Sequence, residues 1–166
     1  HQQYAHMGEG TRWAEITRDP ALYPKFTQAM VPMLSEETKR FFDYVVFEKS
    51  GTFKDLMTSP VGFVNASLAP LYGLNASQYG ADLVQANLDP ATRSGLFTRL
   101  GFLASHSLYN RPSPILRGAF LQKEVLCTAV APPPPGVEGT PLPTTGATNR
   151  ERVDAQTAGG ECMSCH

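Results

Sequence analysis

The chain has 166 residues and a mass of 18.1 kDa, with 42% apolar residues, 17% charged residues and a formal net charge of −1. That length suits one ordinary domain, and 9 Phe, 6 Tyr and 1 Trp supply more apolar surface than a solvated tail could expose. With 14 Lys and Arg set against 15 Asp and Glu, no basic excess is present to bind nucleic acid, and no run of about 18 apolar residues is present to span a bilayer.

Residues 1–10 are polar and read as a loop. From Phe26 through Met30, Met33, Leu34, Phe41, Tyr44 and Val45 the apolar positions recur mostly at steps of three or four. This predicts an amphipathic helix interrupted at Pro32, best over Met33–Lys49 and stopped by Ser50-Gly51, with Glu36, Lys39 and Arg40 on its wet face. Thr52 to Met57 predicts a short helix ended by Ser59-Pro60, and the apolar run Val61–Gly73 predicts another with a glycine exit. Ala81 to Leu88 reads as a short strand or extended segment. Thr92 to Leu103 reads as a helix with Leu96, Leu100 and Leu103 on one face and Arg93 and Arg99 away from it.

A loop over Ser107–Pro114 leads to a helix over Ile115–Cys127, capped by Ser113 with Pro114 in its first turn. Ile115, Ala119 or Phe120, and Val125 or Leu126 should face inward. Six of the 14 prolines lie between Pro132 and Pro143, which predicts a semi-rigid polyproline arm acting as a spacer over the protein's own surface. A polar helix beginning at Asn149 then leads to Cys162-Met-Ser-Cys165-His166. The fold class expected is mostly α: an irregular helical body with a polyproline arm leading to a haem-motif helix. Residues 1–106 are expected to be a helical domain, the C-terminal part of a larger one, and residues 107–166 the helix, arm and C-x-x-C-H segment. The chain starts on His1 and stops on its most chemical residues, so it reads as a piece of something longer, with any secretion signal upstream.

C-x-x-C-H is the attachment signature of c-type haem. Two thiols about one helical turn apart can both add to the porphyrin vinyl groups, and the adjacent imidazole can bind the iron. On this reading Cys162, Cys165 and His166 hold covalent haem c, and His166 is the metal ligand. Three other readings compete. A thioredoxin-like redox pair would follow a strand, and Thr157-Ala-Gly-Gly-Glu161 has no strand pattern. Structural zinc would need a second ligand pair, and Cys127, His1, His6 and His106 are scattered. A plain disulfide needs only the two cysteines.

Ser113-Pro114, Arg117-Gly118, Pro132 to Pro135, Arg150-Glu151-Arg152 and Cys162 to His166 occur in that order. Upstream lie Glu37-Thr38 with Phe41, Phe63-Val64-Asn65, Leu68-Ala69 and Tyr72-Gly73. Together these resemble the cytochrome-like proteins first recognised in planctomycetes, large secreted proteins built from tandem domains of unknown function. The resemblance covers Trp13 to His166. It implies covalent haem at the motif, a secreted, periplasmic or envelope location, and further sequence on both sides. It supplies no reaction. Where many members carry a His six residues before the first motif Cys, this chain has Gln156, which cannot ligate iron in its place.

Met7, Met30, Met33, Met57 and His106 are candidates for the sixth iron position, although Met at helical spacing is more often core and His106 suits a helix-end hydrogen bond. Cys127 is expected to be a buried apolar thiol. Arg117 should hold a loop carbonyl or a haem propionate, the former preferred, and Gly118 should allow close helix packing. Glu36 and Glu37 point about 100° apart on a helix and cannot act as a carboxylate pair. No nucleophile elbow, phosphate loop, H-E-x-x-H or calcium loop is present, which favours an electron carrier over a catalyst. The leading expectation is electron transfer with an unidentified redox partner protein. The alternative is a structural or interaction module of a larger envelope or extracellular complex, with the motif empty or disulfide-bonded. A third, a haem peroxidase or oxidase, would need an open sixth position.

Overall fold

Proline at position 32 does not break the helix around it. In the computed structural model, which describes residues 15–130, 132, 146 and 148–159, helix α1 runs Met30–Asp43 with Pro32 in its first turn, where a backbone N–H has no helical acceptor. The helix therefore starts three residues before the expected Met33. It passes into a π-helical turn, Tyr44–Glu48, and the chain leaves at Ser50, φ 49°, agreeing with the Ser50-Gly51 stop. Helix α2 (Phe53–Thr58) opens on a capping box: Thr52 Oγ1 accepts from the Asp55 N–H, and the Asp55 carboxylate accepts from the Thr52 N–H at 2.8 Å.

The helix expected over Val61–Gly73 is two different elements. Val61–Val64 is strand β1, antiparallel to β2 (Val84–Asn87), with Val61 opposite Asn87 and Val64 opposite Val84. A short run that is apolar at every position carries no period, and all four β1 residues are buried, as a strand covered on both faces allows. Asn65 ends the strand: its Oδ1 accepts from the N–H groups of Ser67 and Leu68, and its Nδ2 donates to the Ala81 carbonyl at 3.1 Å. A 3₁₀ turn, Ala69–Tyr72, follows and leaves through Gly73 at φ 76°, the expected glycine exit.

The expected helix over Thr92–Leu103 is broken at Arg99, whose backbone is extended with ψ 143°. A 3₁₀ turn, Leu96–Thr98, precedes it and helix α3 (Leu100–Ser105) follows. Helix α4 (Pro114–Phe120) begins as its sequence predicts, the Leu116 N–H donating to Ser113 Oγ at 3.2 Å, and runs into a second π-helical turn, Leu121–Val125. Of the positions expected inward, Phe120 is buried, Val125 is half-buried where its alternative Leu126 is 67% exposed, and Ile115 is 67% exposed.

The chain divides into two compact units, His1–Arg117 and Gly118–His166. The first buries two apolar clusters, one around Val31, Leu34, Val64 and Leu68, the other around Phe41, Val45, Phe63 and Leu96. In the second, helix α5 (Asn149–Thr157) starts on a capping box between Thr148 and Glu151. Residues 133–145 of the proline arm and the 162–166 motif lie outside the described residues. Helix makes up about 48% of the structure, in five α-helices beside a single two-stranded sheet among the described residues, so the fold is mostly α. Among them no helix is long and apolar enough to cross a membrane.

Candidate functional site

Cys162, Cys165 and His166, expected to hold haem, lie outside the described residues, as do His1, His6 and Met7. The approach is described: α5 carries Gln156 in its last turn, half-buried, and ends before Ala158. As a donor set, two thiols and an imidazole within five residues fit covalent haem, because thiols add to vinyl groups and a neutral imidazole nitrogen binds iron. Among the described residues no three of His, Cys, Asp and Glu converge on a common point that could hold a metal ion.

Four of the sixth-position candidates, His106, Met33, Met30 and Met57, lie among the described residues of the first unit. His106 is buried, its ring stacked on Phe102 with centroids 4.3 Å apart. Its Nδ1 lies 2.8 Å from Ser105 Oγ and 3.1 Å from the Phe102 carbonyl oxygen. Met33 packs against the first apolar cluster and its Sδ accepts from Asn65 Nδ2 at 3.5 Å. Met30 opens α1, and Met57 is half-buried in α2.

Three expectations are corrected. Cys127 is an exposed thiol, not a buried one, because the chain has already left the helix there at φ 53°. Arg117 holds no loop carbonyl among the described residues; its guanidinium is partly buried, and that burial lowers its pKa. A Cβ at Gly118 would meet open space, so the glycine permits no close packing there.

A fourth correction reaches further. Arg99 is not on a wet face but wholly buried, and Glu37, which had no expected role, is buried with it. Glu37 falls on the same face of α1 as Leu34 and Phe41. Its Oε1 lies 3.4 Å from Arg99 Nη1, and its carboxylate also accepts from the Tyr72 hydroxyl and the Phe63 N–H. Burial raises the Glu37 pKa, and Arg99 and those hydrogen bonds pull it part of the way back. Arg99 Nε donates to the Gly95 carbonyl and Nη2 to the Ser59 carbonyl, each at 3.1 Å, while its guanidinium lies 3.9 Å from the Phe41 ring centroid. The Tyr72 oxygen accepts from the Leu100 N–H at 3.2 Å, and burial pushes its hydroxyl pKa up. With every member bonded and none open to solvent, the cluster is built to clasp the body and not to meet a substrate.

This clasp has a bearing on what the chain is. Residues 1–74 match the family model PSD4, described as a protein of unknown function (DUF1592), and residues 93–166 match PSCyt3, described as a protein of unknown function (DUF1588). The chain is similar to two family models in succession, PSD4 and then PSCyt3. Both belong to planctomycete cytochrome-like families. Glu37 lies in the PSD4 match and Arg99 in the PSCyt3 match, so the buried pair ties the first stretch of PSCyt3 into the same compact unit as PSD4. Strand β2 falls between the two matches and pairs with β1 inside PSD4. No curated protein and no solved structure matches the chain.

Proposed function

We propose that this chain is the haem-anchoring segment of a secreted, c-type cytochrome-like protein that transfers electrons. The observation that supports it is the C-x-x-C-H run at Cys162–His166 lying at the end of the stretch that matches PSCyt3. The Cys162 and Cys165 thiols would hold the haem group through two thioethers, and the His166 imidazole would ligate its iron. Bound there, haem supplies a one-electron iron couple. The clasped helical unit, with no free catalytic constellation among its described residues, serves as scaffold. Covalent attachment places the protein in the periplasm, outside the cell or on the envelope, where an unidentified redox protein or other parts of the same precursor exchange electrons with it.

The test is expression of the full chain together with haem-attachment machinery, followed by intact mass under denaturing conditions and a pyridine-haemochrome spectrum. A mass raised by one haem with a c-type spectrum supports the proposal. An apo mass, or an apo mass less two hydrogens that thiol reductant restores, overturns it and favours a structural module with a disulfide at Cys162 and Cys165.

A further inference from the structure

The first unit contains a cavity of about 540 Å³, the size range of sites that bind small organic ligands. Five separate stretches of chain build its walls, one of them the loop and helix that carry Pro112 and Arg117. Leu34 comes from α1, Leu71 from the 3₁₀ turn, Leu100 and Leu103 from α3, and Tyr23 and Phe26 from the stretch before α1. Neither core cluster fills this space, and Leu22 at its edge is left 59% exposed.

The polar groups around it are of one sign. Arg18, Lys25 and Arg117 line the cavity, and no Asp or Glu does. Arg18 is fixed in place: it donates to the Thr17 and Ala104 carbonyls and lies 5.9 Å from the Phe26 ring centroid. Arg117 is the contrast. Its guanidinium has no hydrogen-bond acceptor and no carboxylate among the described residues, although partial burial removes some of its water. Burial lowers the pKa of both arginines, the mark of cations held in apolar surroundings without a full complement of anions. A partly desolvated guanidinium next to leucine side chains gains most from an anion that can take two of its N–H groups at once.

We propose that this cavity binds an aliphatic carboxylate, its chain against Leu71, Leu100 and Leu103 and its carboxylate on Arg117, with Arg18 and Lys25 adding positive field. Leucines outnumber rings on the walls, and Arg18 already covers Phe26, so an alkyl chain fits better than a stacked aromatic ligand. Three cations with no lining acid select the anion over a neutral or cationic amphiphile of equal length.

The experiment titrates the full 166-residue chain with decanoate by calorimetry below its micellar concentration, and separately with decyltrimethylammonium. One decanoate per chain should bind saturably, with the cationic amphiphile at least about tenfold weaker. Arg117→Gln should weaken decanoate at least about tenfold while Arg117→Lys keeps most of the affinity. Leu103→Trp, which fills the cavity and leaves the cations in place, should abolish binding with unchanged far-ultraviolet circular dichroism. Equal affinity for the two amphiphiles, no saturable binding, or unaltered decanoate binding in folded Arg117→Gln would each overturn the assignment.

Discussion

Arg99 Nη1 lies 3.4 Å from Glu37 Oε1, and neither side chain is exposed to solvent. The two residues stand 62 positions apart, one on α1 and the other at the break before α3, so their pairing fixes how those two stretches pack. A buried ion pair is weak evidence of net stability, since both charges gave up water to form it. It is strong evidence about what happens when only one partner is removed.

Arg99→Met leaves a buried carboxylate without its cation and frees the Gly95 and Ser59 carbonyls. It should destabilise the first unit by about 3–5 kcal/mol, measured by urea unfolding followed by circular dichroism. Adding Glu37→Leu should recover part of that loss, because the uncompensated charge goes. A loss below about 1 kcal/mol for Arg99→Met would mean that the pair is solvated in solution.

The pH dependence follows from the raised Glu37 pKa. The folded carboxyl holds its proton to higher pH than the unfolded one, whose ordinary value is 4.5. Its contribution is therefore complete below that value and is lost as pH rises through the folded pKa. Glu37→Gln carries no such proton. The stability of the parent minus that of Glu37→Gln should fall as pH rises above the unfolded carboxyl's ordinary value of 4.5 and flatten once the folded carboxyl has ionised, by urea unfolding at each pH. A difference that grows with pH would show that Arg99 dominates and holds the carboxyl low.

The clasp also explains which parts of this fold were legible. Helix α1 could be read from its apolar spacing, α4 from Ser113-Pro114, and α5 from its polar run, because caps and periods are local. The sign of a second feature was present too: Glu37 interrupts the stripe of Leu34, Phe41 and Val45, and a carboxylate in such a stripe calls for a buried cation. Nothing local identifies Arg99 as that cation. Its burial depends on an extended backbone that breaks the expected helix, and that break depends on Gly95 lying against Met57 and Ser59 from α2 and its exit. Likewise Val61–Val64 reads as helix or strand with equal ease until β2 arrives from 20 or more residues away to pair with it. The motif residues Cys162, Cys165 and His166 announce a chemistry by type and spacing alone, which no local structure was needed to suggest.

Two glycines should report on the same region with different magnitudes. A Cβ on Gly62 would lie 2.7 Å from Leu88 Cδ1 and 3.1 Å from Arg99 Nη1, contacts with side chains that can shift. Gly62→Ala should cost about 1–3 kcal/mol. At Gly95 the backbone is at φ 67° and a Cβ would collide with the Met57 carbonyl, which cannot move without unwinding the end of α2. Gly95→Ala should cost more than Gly62→Ala and should leave little folded protein, by thermal unfolding of both variants side by side. The reverse order would show that α2 yields more easily than Leu88.

The three cysteines should separate cleanly under the haem proposal. Cys127 is exposed, alone at a helix exit, and already at φ 53°, so serine there changes neither packing nor any pairing that the described residues make. Cys127→Ser should keep full haem content and an unchanged spectrum when expressed with attachment machinery. Cys162→Ala and Cys165→Ala each remove one of the two thioether positions, so each should lower the fraction of chain that carries haem through denaturation, and the double variant should carry none. His166→Ala removes the iron ligand and leaves both thioether positions intact, so haem that is attached should show an altered visible spectrum. Haem loss in Cys127→Ser together with retention in the Cys162/Cys165 double variant would place the attachment elsewhere in the chain and remove the basis of the proposed function.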